Sequence, residues 1–155
     1  MKIYIGADHA GYELKEKLKI YLSELGYKTE DKGASQYNAD DDFPDFVTLV
    51  AESVAEDKGS FGIILGGSGQ GEAIVANRFK NVRAAVYYGS PRAESRGKDD
   101  LDIIKLSREH NDANVLALAA GFLDDNTARE MLRLWLETPF TNEERHIRRI
   151  KKIDS

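Results

Sequence analysis

The chain contains no cysteine. That excludes disulfides, thiolate metal centres and a cysteine nucleophile, and it suits a protein of the reducing cytoplasm. No apolar run approaches the roughly 20 residues of a membrane-spanning helix. The first residues, Met1-Lys2-Ile3-Tyr4-Ile5-Gly6, lack the apolar core of a signal peptide, so neither a membrane nor a secretory role is expected. Positive charge is in deficit: 22 Lys and Arg stand against 27 Asp and Glu, a net charge of −5, which argues against a general nucleic-acid partner. No repeat, linker or low-complexity tract divides the 155 residues, so a single domain spanning 1–155 is expected.

What is present alternates in character. Lys2–Gly6, Tyr27–Asp31, Phe61–Leu65, Val82–Tyr88 and Asn114–Ala119 read as strands. Phe61–Leu65 does not alternate apolar with polar, as expected of a strand buried on both faces. Helical spacing marks Gly11–Leu25 with Gly26 behind it, Phe46–Ala55, a helix ending near Phe79, Asn126–Glu137 and a last helix from about Asn142. Residues 32–42 and 89–103 read as loops, with a helical turn over Ile104–Glu109. Strands alternating with helices imply an α/β fold: three α/β/α layers, Rossmann-like, around a five-stranded, mostly parallel sheet. Ligands in such folds bind beyond the carboxyl ends of the strands.

Four constellations stand out. Ile63-Ile64-Leu65 runs into Gly66-Gly67-Ser68-Gly69-Gln70-Gly71-Glu72, a strand, a tight loop and the start of a helix. Such a loop can aim backbone N–H groups at an oxyanion, and glycine admits close approach. No Lys-Ser/Thr pair follows, so this is not a Walker A loop, and the spacing is wrong for the dinucleotide fingerprint. A purely structural turn, with Glu72 complementing the helix dipole, is the plain alternative. Asp8-His9 follows the first strand, where Asp8 could equally cap the next helix. His110 closes Ser107-Arg108-Glu109-His110-Asn111; imidazole suits proton shuttling, but a helix-end histidine is also common on surfaces. Arg145-His146-Ile147-Arg148-Arg149 puts Arg145 and Arg149 on one helix face, suited to a phosphate or simply solvated. This segment is locally basic: from Thr141 to Ser155, five Arg and Lys face three Asp and Glu.

Taken in order, Asp8-His9-Ala10-Gly11, Asp42-Phe43-Pro44, Gly67-Ser68-Gly69-Gln70-Gly71-Glu72, Ala76-Asn77-Arg78, Ser107-Arg108-Glu109-His110-Asn111 and Arg145-His146-Ile147-Arg148-Arg149 resemble ribose-5-phosphate isomerase type B. That family includes the galactose-6-phosphate isomerase subunits. The resemblance runs from about Lys2 to about Ile150. It implies an aldose–ketose isomerase of sugar phosphates that needs no metal and no organic cofactor.

By resemblance, Glu72, His110 and Ser68 are catalytic: Glu72 as the base, His110 opening the sugar ring, Ser68 and Asp8 on the ring hydroxyls. One branch of the family uses a loop cysteine as base, and its position is Gly66 here. The N–H groups of Gly67, Gly69, Gln70 and Gly71, with Asn111, are assigned to the oxyanion, and His9, Arg145 and Arg149 to the phosphate. Arg148 and His146 are possible extras. The family's site lies across a dimer interface, with His110 from the neighbouring subunit and the basic helix at about 142–153 packing there. At least a homodimer is therefore implied, with a tetramer left open. A helix N-terminus would lower the Glu72 pKa and an apolar pocket would raise it; the sequence leaves that open.

Two departures bear on the substrate. Many relatives carry a Gly-x-Arg after the fifth strand, where this chain has Ala119-Ala120-Gly121. The segment between Tyr87 and Ser107 is also longer, and its Arg92, Arg96 and Lys98 could replace the missing charge. The expected reaction is ribose 5-phosphate to ribulose 5-phosphate. The alternatives are a hexose 6-phosphate such as allose or galactose 6-phosphate, a non-catalytic phosphosugar-binding regulator and, more remotely, a nucleotide-binding module.

Overall fold

The computed structural model of the protein describes residues 1–89 and 100–155, apart from the side chains of 100–102. Among the described residues, five strands and six helices follow in the order β1 (Lys2–Ala7), α1 (Tyr12–Glu24), β2 (Lys28–Asp31), α2 (Phe43–Glu56), β3 (Phe61–Gly66), α3 (Gln70–Ala76), β4 (Ala84–Tyr87), α4 (Asp100–Glu109), β5 (Val115–Ala119), α5 (Asp125–Glu137) and α6 (Glu144–Ile153). The sheet order is β2-β1-β3-β5-β4, and every pairing is parallel. The expected α/β class is the one observed.

Successive side chains in a strand point to opposite faces. Here both sets are apolar. Ile3, Ile5, Ile63, Leu65, Leu116 and Leu118 enter one core with Leu14, Leu18 and Leu22 of α1 and Met131, Leu132 and Trp135 of α5. Tyr4, Ile64, Val115 and Ala117 enter the other with Val47, Val50 and Val54 of α2 and Ala73 and Ala76 of α3. Continuous apolar strands are what a doubly covered parallel sheet requires.

Several boundaries differ from the sequence reading. Helix α2 begins three residues early, at Phe43, because Pro44 fits the first turn, where its missing N–H costs nothing. Helix α3 stops at Ala76 rather than near Phe79. The Asn77 side chain donates to the Ala84 carbonyl (3.1 Å) and accepts from the Ala84 N–H (2.8 Å), tying the helix end to β4. Helix α4 is ten residues long, more than the helical turn expected at Ile104–Glu109. The extra loop expected over 89–103, with Arg92, Arg96 and Lys98, lies mostly outside the described residues.

The order places the switch point between β1 and β3, whose following chains depart to opposite sides. Their carboxyl ends carry Asp8-His9 and the glycine loop, the crevice where this architecture seats ligands. Gly11 sets how closely α1 approaches it. A Cβ there would stand 2.6 Å from Leu65 Cβ and 2.7 Å from the Leu65 carbonyl oxygen. Gly11→Ala is expected to push α1 away from β3 and to cost about 1–3 kcal/mol, read as a lower denaturant midpoint at unchanged slope.

Candidate active site

The glycine loop and Glu72 form the centre of the carboxyl end. Gly69 takes φ +71°, a left-handed conformation that glycine adopts without strain, and this turns the chain into α3. Ser68 Oγ accepts from the Gln70 N–H at 3.3 Å. Glu72 lies in the first turn of α3, yet it is only 4 % exposed. Burial raises its pKa above the ordinary 4.5; its own backbone N–H pulls the other way, and the nearby Asp8 carboxylate adds to the rise. The question the sequence left open is thus decided by desolvation.

Gly66 explains how the carboxyl fits. An ideal Cβ at position 66 would overlap Glu72 Oε1 and Cδ and stand 3.0 Å from Oε2. The space next to the β3 terminus holds either a side chain at 66 or the Glu72 carboxyl, not both. Gly71 is packed by Phe43, whose ring would stand 2.8 Å from an added Cβ, so α2 presses the loop from the other side.

Asp8 is not the N-cap of α1, which is Gly11; its Oδ1 accepts from the N–H groups of Ala10 (3.0 Å) and Gly11 (3.2 Å) and closes the turn that precedes the helix. The side chain is 8 % exposed, and Oδ2 faces His9 Nδ1 at 4.0 Å. His9 is held by Asp41: the backbone N–H and Nδ1 of His9 both contact Asp41 Oδ1, at 3.0 and 2.7 Å. Among the described residues, Asp8, His9 and Asp41 are a group whose ligand atoms lie within 4.8 Å of one another, as a cation site would need. The 2.7 Å contact is a hydrogen bond that occupies Nδ1. Asp41 was not singled out from the sequence, where it is the middle of three consecutive aspartates in a loop.

The other expected residues lie elsewhere. His110 and Asn111 precede β5, while Gly121 follows it. Five residues of strand separate these ends by about 15 Å. Within one chain, His110, Asn111, Arg145 and Arg149 are therefore at the opposite end of the sheet from Glu72, Asp8 and His9. This second cluster has its own order. His110 stacks on His146 with ring centroids 4.2 Å apart and planes 14° from parallel. His146 is 3 % exposed and is the buried residue of α6, where Ile153 is exposed and Ile147 and Ile150 are partly so. Burial, then His110 and Arg145, hold the His146 pKa below 6.5. Arg83 Nε donates to the carbonyls of Asn111 (3.1 Å) and Asp112 (3.0 Å). Arg108, buried against the Phe61 and Trp135 rings, donates to Asp112 (2.9 Å) and to the Ala113 carbonyl (2.6 Å). Arg108 thus anchors the His110–Asn111 turn. Arg145 and Arg149 are exposed, and Arg145 pairs with Glu143 at 2.8 Å.

Residues 3–153 match the Ribose/Galactose Isomerase family. The chain belongs to this family. It is 38 % identical over 150 residues to the ribose-5-phosphate isomerase B of Mycobacterium tuberculosis (strain ATCC 25618 / H37Rv), covering 97 % of this chain and 86 % of that one. The crystal structure of a ribose 5-phosphate isomerase from Thermotoga maritima superposes with a TM-score of 0.85 at 38 % identity, covering 99 % of this chain and 97 % of that one. The ribose-5-phosphate isomerase B of Mycoplasma genitalium, solved with bound ribulose-5-phosphate, superposes with a TM-score of 0.87 at 34 % identity, covering 99 % and 93 %.

In this isomerase Gly121 sits against the glycine loop. Gly121 donates its N–H to the Gly67 carbonyl at 3.0 Å, and an added Cβ would stand 2.9 Å from that oxygen. The loop after β5 lies directly on the glycine loop, and a side chain at 121 would have to part them. Gly66 gives the clearest test of the site's packing. Gly66→Ala is expected to expel the Glu72 carboxyl from its pocket and return its pKa toward 4.5, measured by carboxyl carbon NMR across pH. An unchanged titration would mean that the carboxyl keeps its buried position beside a methyl group.

Proposed function

We propose that the protein interconverts ribose 5-phosphate and ribulose 5-phosphate, with Glu72 as the proton-transferring base. The buried carboxyl of Glu72, held against Gly66 at the switch point and next to Asp8, carries this reading. A base for carbon acids works best with a pKa near the working pH, and burial moves Glu72 in that direction. The Glu72 carboxylate takes the C2 proton of the open-chain aldose. The C1 oxygen gains the negative charge of the enediolate beside the loop of Gly67, Ser68, Gly69, Gln70 and Gly71, whose N–H groups are the candidate donors. Glu72 then returns the proton to C1, and the O2 hydroxyl proton passes to O1 as C2 becomes the carbonyl. Asp8 and Ser68 hold hydroxyls, and His9 meets the phosphate.

One chain supplies only half of this. A second copy must bring its His110 and Asn111 for ring opening and oxyanion contact, and its Arg145 and Arg149 for the phosphate. Their position at the far end of the sheet, His110 and Asn111 on the turn after α4 and the arginines on the exposed basic helix α6, supports a homodimer with shared sites. A cytoplasmic location suits a soluble substrate of central carbon metabolism.

Glu72→Gln is expected to lower kcat by about 10³-fold or more with KM changed only a few-fold, since charge is lost without volume. Activity of the wild type should fall as pH drops through the raised Glu72 pKa, because protonation removes the base; the acid limb should centre above 4.5. Retained activity in the variant would remove Glu72 from the chemistry. The substrate is checked on a panel of pentose 5-phosphates and hexose 6-phosphates, where turnover of hexoses alone would overturn the pentose assignment. Sharing is checked by mixing Glu72→Gln and His110→Asn chains after denaturation. Random dimers should regain about a quarter of wild-type activity, because each mixed dimer has one intact site. No recovery would place His110 and Glu72 of one site in the same chain.

A further inference from the structure

His9 stands in negative surroundings. The carboxylates of Asp8, Asp40 and Asp41 face it, and the Tyr37 ring lies edge-on at 6.5 Å. A phosphate dianion entering here meets three like charges unless the imidazole is a cation.

Asp41 is arranged to meet that demand. Its side chain is 7 % exposed, far less than that of His9 at 36 %. A single oxygen, Oδ1, takes both the backbone N–H and Nδ1 of His9, so the carboxylate grips one residue at two points. Oδ2 is buried and has no hydrogen-bond partner, so among the described residues no other group draws the carboxylate away. The hydrogen bond fixes a proton on Nδ1 and leaves Nε2 as the free end of the ring. Asp8 is committed through Oδ1 to the turn that precedes α1 and stands farther off, at 4.0 Å.

We propose that Asp41 is a positioning residue that orients His9 and keeps it protonated as the phosphate-binding cation of this half-site. The proposal rests on the phosphate role of His9 given above. The direction of the His9 pKa agrees: the Asp41 hydrogen bond raises it above 6.5 against desolvation, and the charges of Asp8, Asp41 and Asp40 add to the rise. A histidine held by a buried carboxylate keeps its charge to higher pH than an ordinary imidazole does.

The test compares the wild type, Asp41→Asn, His9→Gln and the double variant. Proton NMR follows the histidine rings across pH, and KM and kcat are measured for ribose 5-phosphate. In the wild type, the resonance lost in His9→Gln should titrate above 6.5, and in Asp41→Asn it should titrate lower. Between the two His9 midpoints that the NMR finds, Asp41→Asn should raise KM about tenfold with kcat within about twofold, as expected for loss of a hydrogen bond to a charged group. The gap should narrow below the lower midpoint, where His9 is protonated in both proteins. In the His9→Gln background, Asp41→Asn should add little. A His9 midpoint at or below 6.5 in the wild type overturns the proposal, and this reading needs no variant of Asp41 to fold. An equal KM rise with and without His9 overturns it too, because Asp41 would then act by another route. An unchanged KM in His9→Gln removes the phosphate role of His9 and the proposal with it. A wild type without isomerase activity would sink the substrate assignment, while the NMR arm would still decide the pairing of Asp41 with His9.

Discussion

Strands β1, β3 and β5 are covered on both faces, and beyond Lys2 at the start of β1 no side chain along them can carry a charge without a large desolvation cost. This constraint decides where the protein can do chemistry. Polar groups are pushed to the two rims of the sheet, where loops begin and end. At the carboxyl rim, the divergence of β1 and β3 opens a crevice, and Asp8, His9, the glycine loop and Glu72 line it. Glu72 is buried at that rim, its pKa is raised, and one missing Cβ at Gly66 leaves it a place.

The two rims differ in sign. The carboxyl rim gathers Asp8, Asp40, Asp41 and Glu72, while α6, at the other, carries Arg145, Arg148 and Arg149 on exposed turns. On the proposed reading, two copies bring unlike rims together, and a phosphate at their junction completes the neutralisation. Complementary fields of this kind favour the correct approach of one copy to another. They also give α6 a reason to be basic on a protein whose net charge is −5.

Most of the architecture was legible because it follows from local rules. Unbroken apolar runs marked the strands, 3.6-residue spacing marked the helices, and the glycine loop marked a strand's carboxyl end. Boundaries failed where a side chain overrode periodicity: Asn77 ties off α3 through Ala84, and Pro44 starts α2 early. The candidate residues were legible through their neighbours in sequence. What they do to one another was not. Nothing in Asp40-Asp41-Asp42 says which carboxylate turns inward toward His9, since that depends on the path of a loop. Nor does His146, read as part of a basic run, announce that it is buried under His110. Arg108 looked like part of a reactive motif, and its burial against Phe61 and Trp135 makes it a support for the turn that carries His110 and Asn111.

The missing side chain at Gly66 makes this glycine and Glu72 a matched pair. The strand gives up volume at the point where the helix returns it, so an ideal Cβ at 66 would overlap the Glu72 carboxyl. Enlarging residue 66 requires the carboxyl to shift, and shortening residue 72 opens a hole beside the end of β3. The two positions are coupled and do not vary independently of one another.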